Sequence, residues 1–357
     1  MTANQQILRD AHVLVVGCGA LGNEVLKNLV LMGVGHLVVV DFDRVEASNL
    51  TRSILFRRSD VGRPKTEVVS QRLKELNPVL DVLAIDGDIT HDVGLGLISR
   101  MDVVIGCVDN RLARYMINRH CMRLGKTWID GGIYELEGSV RVFSPGQNCY
   151  ACNLGPEGLS ELQRRMPCSR TIRRQEAVGS APTTSIIASI IGAVQVQEAI
   201  KVLLGIGTLL TGKMFCYEGE HNTSRYVDFC AYDEDCAEHD RWSPILISDL
   251  HRHMTVAEVL TALGGEHPQI VLREDVFVDY IYHREDDKQY TLMCPGRQVV
   301  QKIDSHETLR GSLLSDFYQN EYRIIDQTFP YQELTLEQLG IPADDILDTN
   351  GHYYRCV

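Results

Sequence analysis

The strongest constraint in this chain is a strand that runs directly into a glycine-rich turn. His12 to Val16 is a short β-branched run, followed at once by Gly17-Cys18-Gly19-Ala20-Leu21-Gly22 and a helical pattern to about Met32. Glycines at Gly17, Gly19 and Gly22 let the backbone turn tightly or approach a phosphate, and the helix start offers unpaired N–H groups and the positive end of its dipole. A second apolar strand, Leu37 to Val40, ends at Asp41, where a carboxylate can accept hydrogen bonds from ribose hydroxyls. The rhythm continues with a helix from about Pro64 to Leu76 and strands at Val79 to Ile85, Met101 to Val108 and Thr127 to Asp130. Continuous apolar strands alternating with helices predict the α/β class, with a mainly parallel sheet covered on both faces.

From Gly146 the pattern changes to a cysteine pair, a polar arginine-rich stretch and a small-residue helix from about Thr184 to Leu204. Beyond Trp242 the pattern predicts one helix, about Val256 to Leu263, and several alternating strands. The 357 residues suit two or three domains. The expected division is 1–242, with a crossover loop at about 153–182, and a small α+β domain at 243–357. Charge marks the same division. Residues 243–357 hold 19 acidic and 9 basic side chains, a net of −10, whereas the first 242 residues carry only −3. A total of −13 argues against nucleic-acid binding, which normally needs a basic face. Ser185 to Leu210 is apolar but broken by Gln195, Gln197, Glu198 and Lys201, so a buried helix is expected rather than a membrane span. The first twenty residues show no basic stretch followed by an apolar one, so no secretory leader is expected. Eleven cysteines are too sparse for a disulfide scaffold of this length, and the expectation is reduced thiols in the cytoplasm.

A glycine turn alone would suggest a nicotinamide dehydrogenase. The residues after Asp41 point elsewhere. Asp41-Phe-Asp43-Arg-Val-Glu-Ala-Ser-Asn49-Leu-Thr-Arg52 is followed by Gly62-Arg-Pro-Lys65 and, after another strand, by Asp109-Asn110 with Arg114 a turn later. Fixed cations such as Arg52 and Lys65 suit a triphosphate. Asp109, an acid at a strand's C-terminal end, suits Mg2+, which takes few carboxylates together with phosphate oxygens.

With Asp130-Gly-Gly132 added, these motifs resemble the ThiF-type superfamily, which includes ubiquitin-activating enzymes and sulfur-carrier adenylyltransferases. The resemblance covers about residues 10 to 240 and implies a Rossmann-like adenylation domain that uses ATP. It implies that Asp41 holds the ribose, that Asn49, Arg52 and Lys65 hold the phosphates, and that Asp43 and Asn110 line the same ATP/Mg site. It further implies that Asp109 holds Mg2+ while a protein's C-terminal glycine carboxylate attacks the α-phosphate. One family feature is missing: there is no Arg-Tyr-x-Arg-Gln-like N-terminal segment to supply an arginine to a partner subunit's ATP. Either Arg9 serves or another protein does, in a homodimer or a heterodimer with a related subunit.

Cys149-Tyr-Ala-Cys152 and Cys236-Ala-Glu-His239 are C-x2-C and C-x2-H knuckles whose four donors can close a tetrahedral structural Zn2+ site. The superfamily usually carries two C-x2-C pairs, so His239 departs from it, and Cys230 is a rival fourth ligand. Cys168 lies among five arginines in Arg164-Arg-Met-Pro-Cys168-Ser-Arg-Thr-Ile-Arg-Arg174, and nearby cations favour the nucleophilic thiolate. Ubiquitin-activating enzymes carry their catalytic cysteine in such a loop. Residues Thr335 to Leu347 resemble the closing stretch of the domain that recruits conjugating enzymes.

The first expectation is an activating enzyme for a ubiquitin-like protein with a C-terminal glycine. It adenylates that glycine, forms a thioester on Cys168 and passes it to a conjugating enzyme, with Arg52 and Asp109 catalytic. The alternative is a sulfur-carrier-protein adenylyltransferase of the molybdopterin or thiamine type. A dehydratase acting on a modified tRNA base is disfavoured by the acidic charge. A pseudo-subunit is disfavoured by the intact Asp41, Arg52, Lys65 and Asp109.

Overall fold

The computed structural model describes residues 2–155, 157–158, 160, 162, 183–229, 232–272, 275–312 and 314–357. It divides into two units. The first comprises the described residues of Met1–Thr90, Ile98–Gly155 and Gly179–Arg241. The second comprises those of His91–Leu97, Pro156–Val178 and Trp242–Val357.

In chain order the first unit begins α1 (Ala3–Asp10), β1 (His12–Val16), α2 (Ala20–Met32), β2 (His36–Asp41), α3 (Lys65–Leu76) and β3 (Asp81–Asp86). After α4 (Leu95–Ser99), whose residues Leu95 to Leu97 are counted in the second unit, come β4 (Val103–Gly106), α5 (Arg111–Arg123), β5 (Trp128–Tyr134) and β6 (Glu137–Phe143). It ends with α6 (Ser185–Leu204), β7 (Lys213–Glu218) and β8 (Thr223–Asp228). These strands form one eight-stranded sheet in the order β3-β2-β1-β4-β5-β6-β7-β8. From β3 to β5 the pairing is parallel, and from β5 to β8 it is antiparallel. The first part of this reads as the sequence pattern does: β1, β2 and β4 are apolar almost throughout because both faces are covered. Their side chains, with Leu26 and Leu29 of α2 and Val68 and Val69 of α3, form the main core. The chain steps outward from β1 to β3 and then returns to β4 on the far side of β1. This reversal opens a crevice beyond the strand ends of β1 and β4, where ligands bind in open α/β sheets.

The hydrophobic length of α6 would suffice to cross a membrane. Within the unit, however, it packs on α2, β4, β5 and β6, burying Ile187, Ile191, Gln195, Val196 and Glu198.

The second unit holds two sheets. One has the order β14-β10-β15-β16-β9, from Ile324–Ile325, Ile270–Val271, Ile346–Asp348, Tyr353–Arg355 and Ile245–Ile247. The other is β12-β11-β13, from Lys288–Pro295, Phe277–His283 and Phe317–Tyr322. Helix α7 (Val256–Leu263) begins at a capping box of Thr255 and Glu258. A second helix, α8 (Val299–Ser305), corrects the single helix expected here. Its β-branched Val299, Val300 and Ile303 disguise it as a strand. Val299 and Ile303, four apart, are the buried pair that makes it a helix. Leu336, Leu339 and Leu347, from the stretch read as a recruiting-domain terminus, are buried in the core around α7.

Candidate active site and metal centre

The turn after β1 is shaped by what its glycines touch. Gly17 has φ +97°, and a Cβ there would stand 2.4 Å from the Cys107 carbonyl oxygen. A Cβ on Gly22 would stand 1.9 Å from the Gly17 carbonyl oxygen. Both positions exclude any side chain. Around Gly19 there is no atom within 4 Å of where a Cβ would lie. Gly19 is also the N-cap of α2, without a side-chain cap, so the open space adjoins helix N–H groups suited to an anion.

Asp41, at the end of β2, ties the turn to its neighbour. Its Oδ2 accepts from Cys18 N at 2.6 Å and its Oδ1 from Asp43 N at 2.8 Å. Burial holds the Asp41 carboxyl above its ordinary range, against the Lys65 ammonium and those two N–H groups. Lys65, buried at the start of α3, donates to Asp43 Oδ2 at 2.7 Å. Burial opposes its charge, but Asp41 and Asp43 outweigh it and hold the ammonium above its usual pKa. Asn49 lies on a 3-10 turn, Ala47–Thr51, where its Oδ1 accepts from Glu46 N at 3.0 Å. Arg52 closes that turn and donates through Nη1 to Ser48 O at 3.1 Å.

On the β4 side, Asn110 is the N-cap of α5, its Oδ1 accepting from Ala113 N at 2.8 Å. Asp109, just before it, is exposed and has no hydrogen-bond partner among the described residues. Arg114, one turn into α5, donates from Nε to Asp130 Oδ1 at 2.9 Å and from Nη2 to the Val108 carbonyl at 2.7 Å. The fully buried Asp130 also takes both Nε and Nη2 of Arg141. Gln195 of α6 donates to the Gly106 carbonyl at 3.0 Å, and a Cβ on Gly131 would strike it at 2.5 Å.

The metal-ligand candidates form the second cluster. Cys149, Cys152, Cys236 and His239 offer donor atoms that all lie within 4.8 Å of one another. Cys149 Sγ is 3.7 Å from Cys152 Sγ and 3.9 Å from Cys236 Sγ, and Cys152 Sγ is 3.3 Å from His239 Nε2. Sulfurs bound at about 2.3 Å to a tetrahedral zinc lie roughly 3.8 Å apart, so the spacing and the donor set both fit that ion. Tyr232 stacks on His239 at 4.4 Å between ring centroids. Glu238, between the two second-knuckle ligands, accepts from Tyr115 OH at 2.6 Å and pairs with Arg119 at 3.3 Å. Cys168, its arginines Arg164, Arg165 and Arg170, and Cys230 lie outside the described residues.

Arg141 and Asn118 are absent from the sequence reading, Glu238 enters it only as a spacer of the second knuckle, and Gln195 only as an interruption of an apolar helix. Only Gln195 gave a usable signal, a polar residue inside a twenty-residue apolar run. The others acquire meaning through partners distant in sequence.

These features define a nucleotide-type α/β crevice beside a cysteine–histidine knuckle pair. Residues 1–238 match the ThiF family, and the chain belongs to it. It is 36% identical over 221 residues to a sulfur carrier protein adenylyltransferase of Thermus thermophilus, covering 60% of this chain and 77% of that protein. It is 35% identical over 223 residues to the sulfur carrier protein ThiS adenylyltransferase of Escherichia coli, covering 62% of this chain and 83% of that one. Against the longer adenylyltransferase and sulfurtransferase MOCS3 of Culex quinquefasciatus the chain spans about half the relative's length. In fold it is similar to the crystal structure of E. coli MccB with MccA-N7isoASN. The TM-score is 0.54 at 22% identity, over 66% of this chain and 69% of that one. The two bacterial relatives at 36% and 35% identity are sulfur carrier protein adenylyltransferases, which favours the second of the two activities expected from sequence over ubiquitin-like activation.

Proposed function

We propose that this protein adenylates the C-terminal glycine of a small, ubiquitin-like sulfur carrier protein at the crevice between β1 and β4. The observation that carries this reading is the open Gly19 turn at the start of α2, with Asp41 bonded to the neighbouring Cys18 N–H and Lys65 paired with Asp43, in a chain whose relatives include sulfur-carrier adenylyltransferases. The ATP phosphates would lie against the Gly19 backbone and the start of α2, and Asp41 would hold the ribose with its remaining lone pairs. Lys65 and Arg52 would exchange Asp43 and Ser48 for phosphate oxygens. Asp109 would hold Mg2+, which neutralises phosphate charge when bound. A carrier carboxylate oxygen then bonds to the α-phosphorus, the bond to the β-phosphate oxygen breaks, and pyrophosphate leaves with that electron pair. The resulting mixed anhydride has AMP as a good leaving group.

Cys149, Cys152, Cys236 and His239 would hold a structural zinc, leaving no ligand position open for chemistry. A dimer would let Arg9, exposed on α1, reach a neighbouring site. The setting would be cytoplasmic, where the thiols stay reduced. A second reading has one observation in its favour, the arginines around Cys168. There the acyl group would move to Cys168 as a thioester and on to a conjugating enzyme recruited by the acidic 243–357 segment. Such recruitment should weaken with salt, since the Debye length falls from about 10 Å at 0.1 M to about 3 Å at 1 M. Incubation with glycine-terminated small proteins and ATP distinguishes the readings. Both give ATP–pyrophosphate exchange, but only the second gives a reductant-sensitive conjugate that Cys168→Ala abolishes.

A further inference from the structure

Arg114 stands one turn after Asp109-Asn110 and takes no part in the adenylation steps above. Strand β4 ends at Gly106, so Cys107 to Asp109, which lead to the crevice, have left the parallel ladder. Their backbone is held by other means. Cys107 N donates to the Val16 carbonyl at 2.8 Å. Beyond it Arg114 takes over, its Nη2 donating to the Val108 carbonyl at 2.7 Å and to the Gly131 carbonyl at 3.2 Å. Nε of the same group donates to Asp130 Oδ1 at 2.9 Å. Asp130 is fully buried and is gripped in turn by Arg141 of β6. Three acceptors around one planar guanidinium fix its place, a geometry that an ammonium on a flexible stem does not reproduce.

The residue after Asp109 is fixed as well, since Asn110 caps α5. That helix is anchored again farther along, where the buried Asn118 accepts from Tyr150 N at 2.9 Å. Asp109 is thus held on both sides through its backbone, while its carboxylate stays exposed and has no hydrogen-bond partner among the described residues. We propose that Arg114 is a positioning residue for Asp109, holding the Val108 carbonyl so that the carboxylate meets the divalent cation of bound ATP. With the backbone at 108–109 free to turn, an exposed carboxylate would sample several directions, and ordering it would draw on binding energy each time. The inference rests on the proposed adenylation, in which Asp109 holds Mg2+.

The test uses the full-length protein with ATP and Mn2+, which stands in for Mg2+, and needs no carrier protein. Equilibrium dialysis gives the affinity for ATP with saturating Mn2+ and again in EDTA, and the ratio is the advantage the cation confers. Asp109→Asn should lose most of that advantage. Arg114→Lys keeps the charge but not the planar fork. It should lower the advantage about tenfold, as loss of a group that orients a metal ligand does, and leave the affinity in EDTA unchanged. The double variant should show no smaller advantage than Asp109→Asn alone, because Arg114 acts through Asp109. An Arg114→Lys advantage within about twofold of wild type, or losses that add in the double variant, overturns the role of Arg114 and leaves Asp109 in place. Mn2+ that confers no advantage on wild type, or an advantage that Asp109→Asn keeps, overturns the magnesium role of Asp109 and the inference with it. Should Arg114→Lys fail to fold, Arg114→Gln, which leaves Asp130 paired with Arg141 alone, is measured the same way and judged by the same outcomes.

Discussion

The crevice and the metal centre lie in the same unit but are held in opposite ways. Around the metal-ligand candidates, the supporting groups are buried and long-range: Asn118, Glu238 and the aromatic rings of Trp128, Phe143 and Tyr150. On the crevice side, Lys65 is buried against Asp43, and the half-buried Arg52 and Asn49 are satisfied by Ser48 and Glu46 in their own turn. The first arrangement is rigid and suits a structural role. The second can exchange internal partners for a ligand's oxygens at modest cost, which suits a substrate that must enter and leave. Between them runs α5, capped by Asn110 at the crevice end and carrying Asn118 at the knuckle end. Arg114 and Arg141 meet at Asp130 between these ends, and Arg141 lies over the Tyr150 ring at 5.3 Å.

The largest expected effect breaks this junction. Asp130→Ala leaves the partly buried Arg114 and Arg141 guanidinium groups facing no carboxylate, and losing one partner of a buried ion pair costs up to about 3–5 kcal/mol. Chemical denaturation should show that loss, and a variant as stable as wild type would detach Asp130 from the frame. Next comes Asp109→Ala, expected to slow ATP–pyrophosphate exchange by about 10²–10³ while the melting temperature stays put. That split between rate and stability is what the exposed position of Asp109 demands. Gly22→Ala should weaken ATP binding tenfold or more, since its Cβ would collide with the Gly17 carbonyl and displace the turn. Equilibrium dialysis with labelled ATP measures it. The smallest effect is Asn110→Ala, which removes the α5 cap and should cost about 0.5–2 kcal/mol by thermal or chemical unfolding.

The same contrast explains what could be read from the sequence. Crevice residues sit at the ends of apolar strands, so the alternation of β1, α2 and β2 locates Gly17, Asp41 and their neighbours without further information. Knuckle ligands announce themselves by spacing, C-x2-C and C-x2-H. The frame carries no such mark. Asp130 meets Arg114 and Arg141 at separations of 16 and 11 residues, and Asn118 meets Tyr150 across 32. No local period encodes those pairings. The antiparallel strands β6 to β8 were equally hard to see. β8 is exposed along its whole length, so it shows no alternation of buried and exposed residues. Helix α8 fails for a related reason, since seven residues are too few to show a period against its β-branched content.

The central claim is that the crevice activates a carrier protein's C-terminal carboxylate with ATP. The most direct measurement is ATP–pyrophosphate exchange by the full-length protein, offered a panel of small glycine-terminated carrier proteins and the same proteins lacking that glycine. Exchange that requires both magnesium and the intact C-terminal glycine is the expected result. No exchange with any carrier, or exchange indifferent to the terminal glycine, would contradict it.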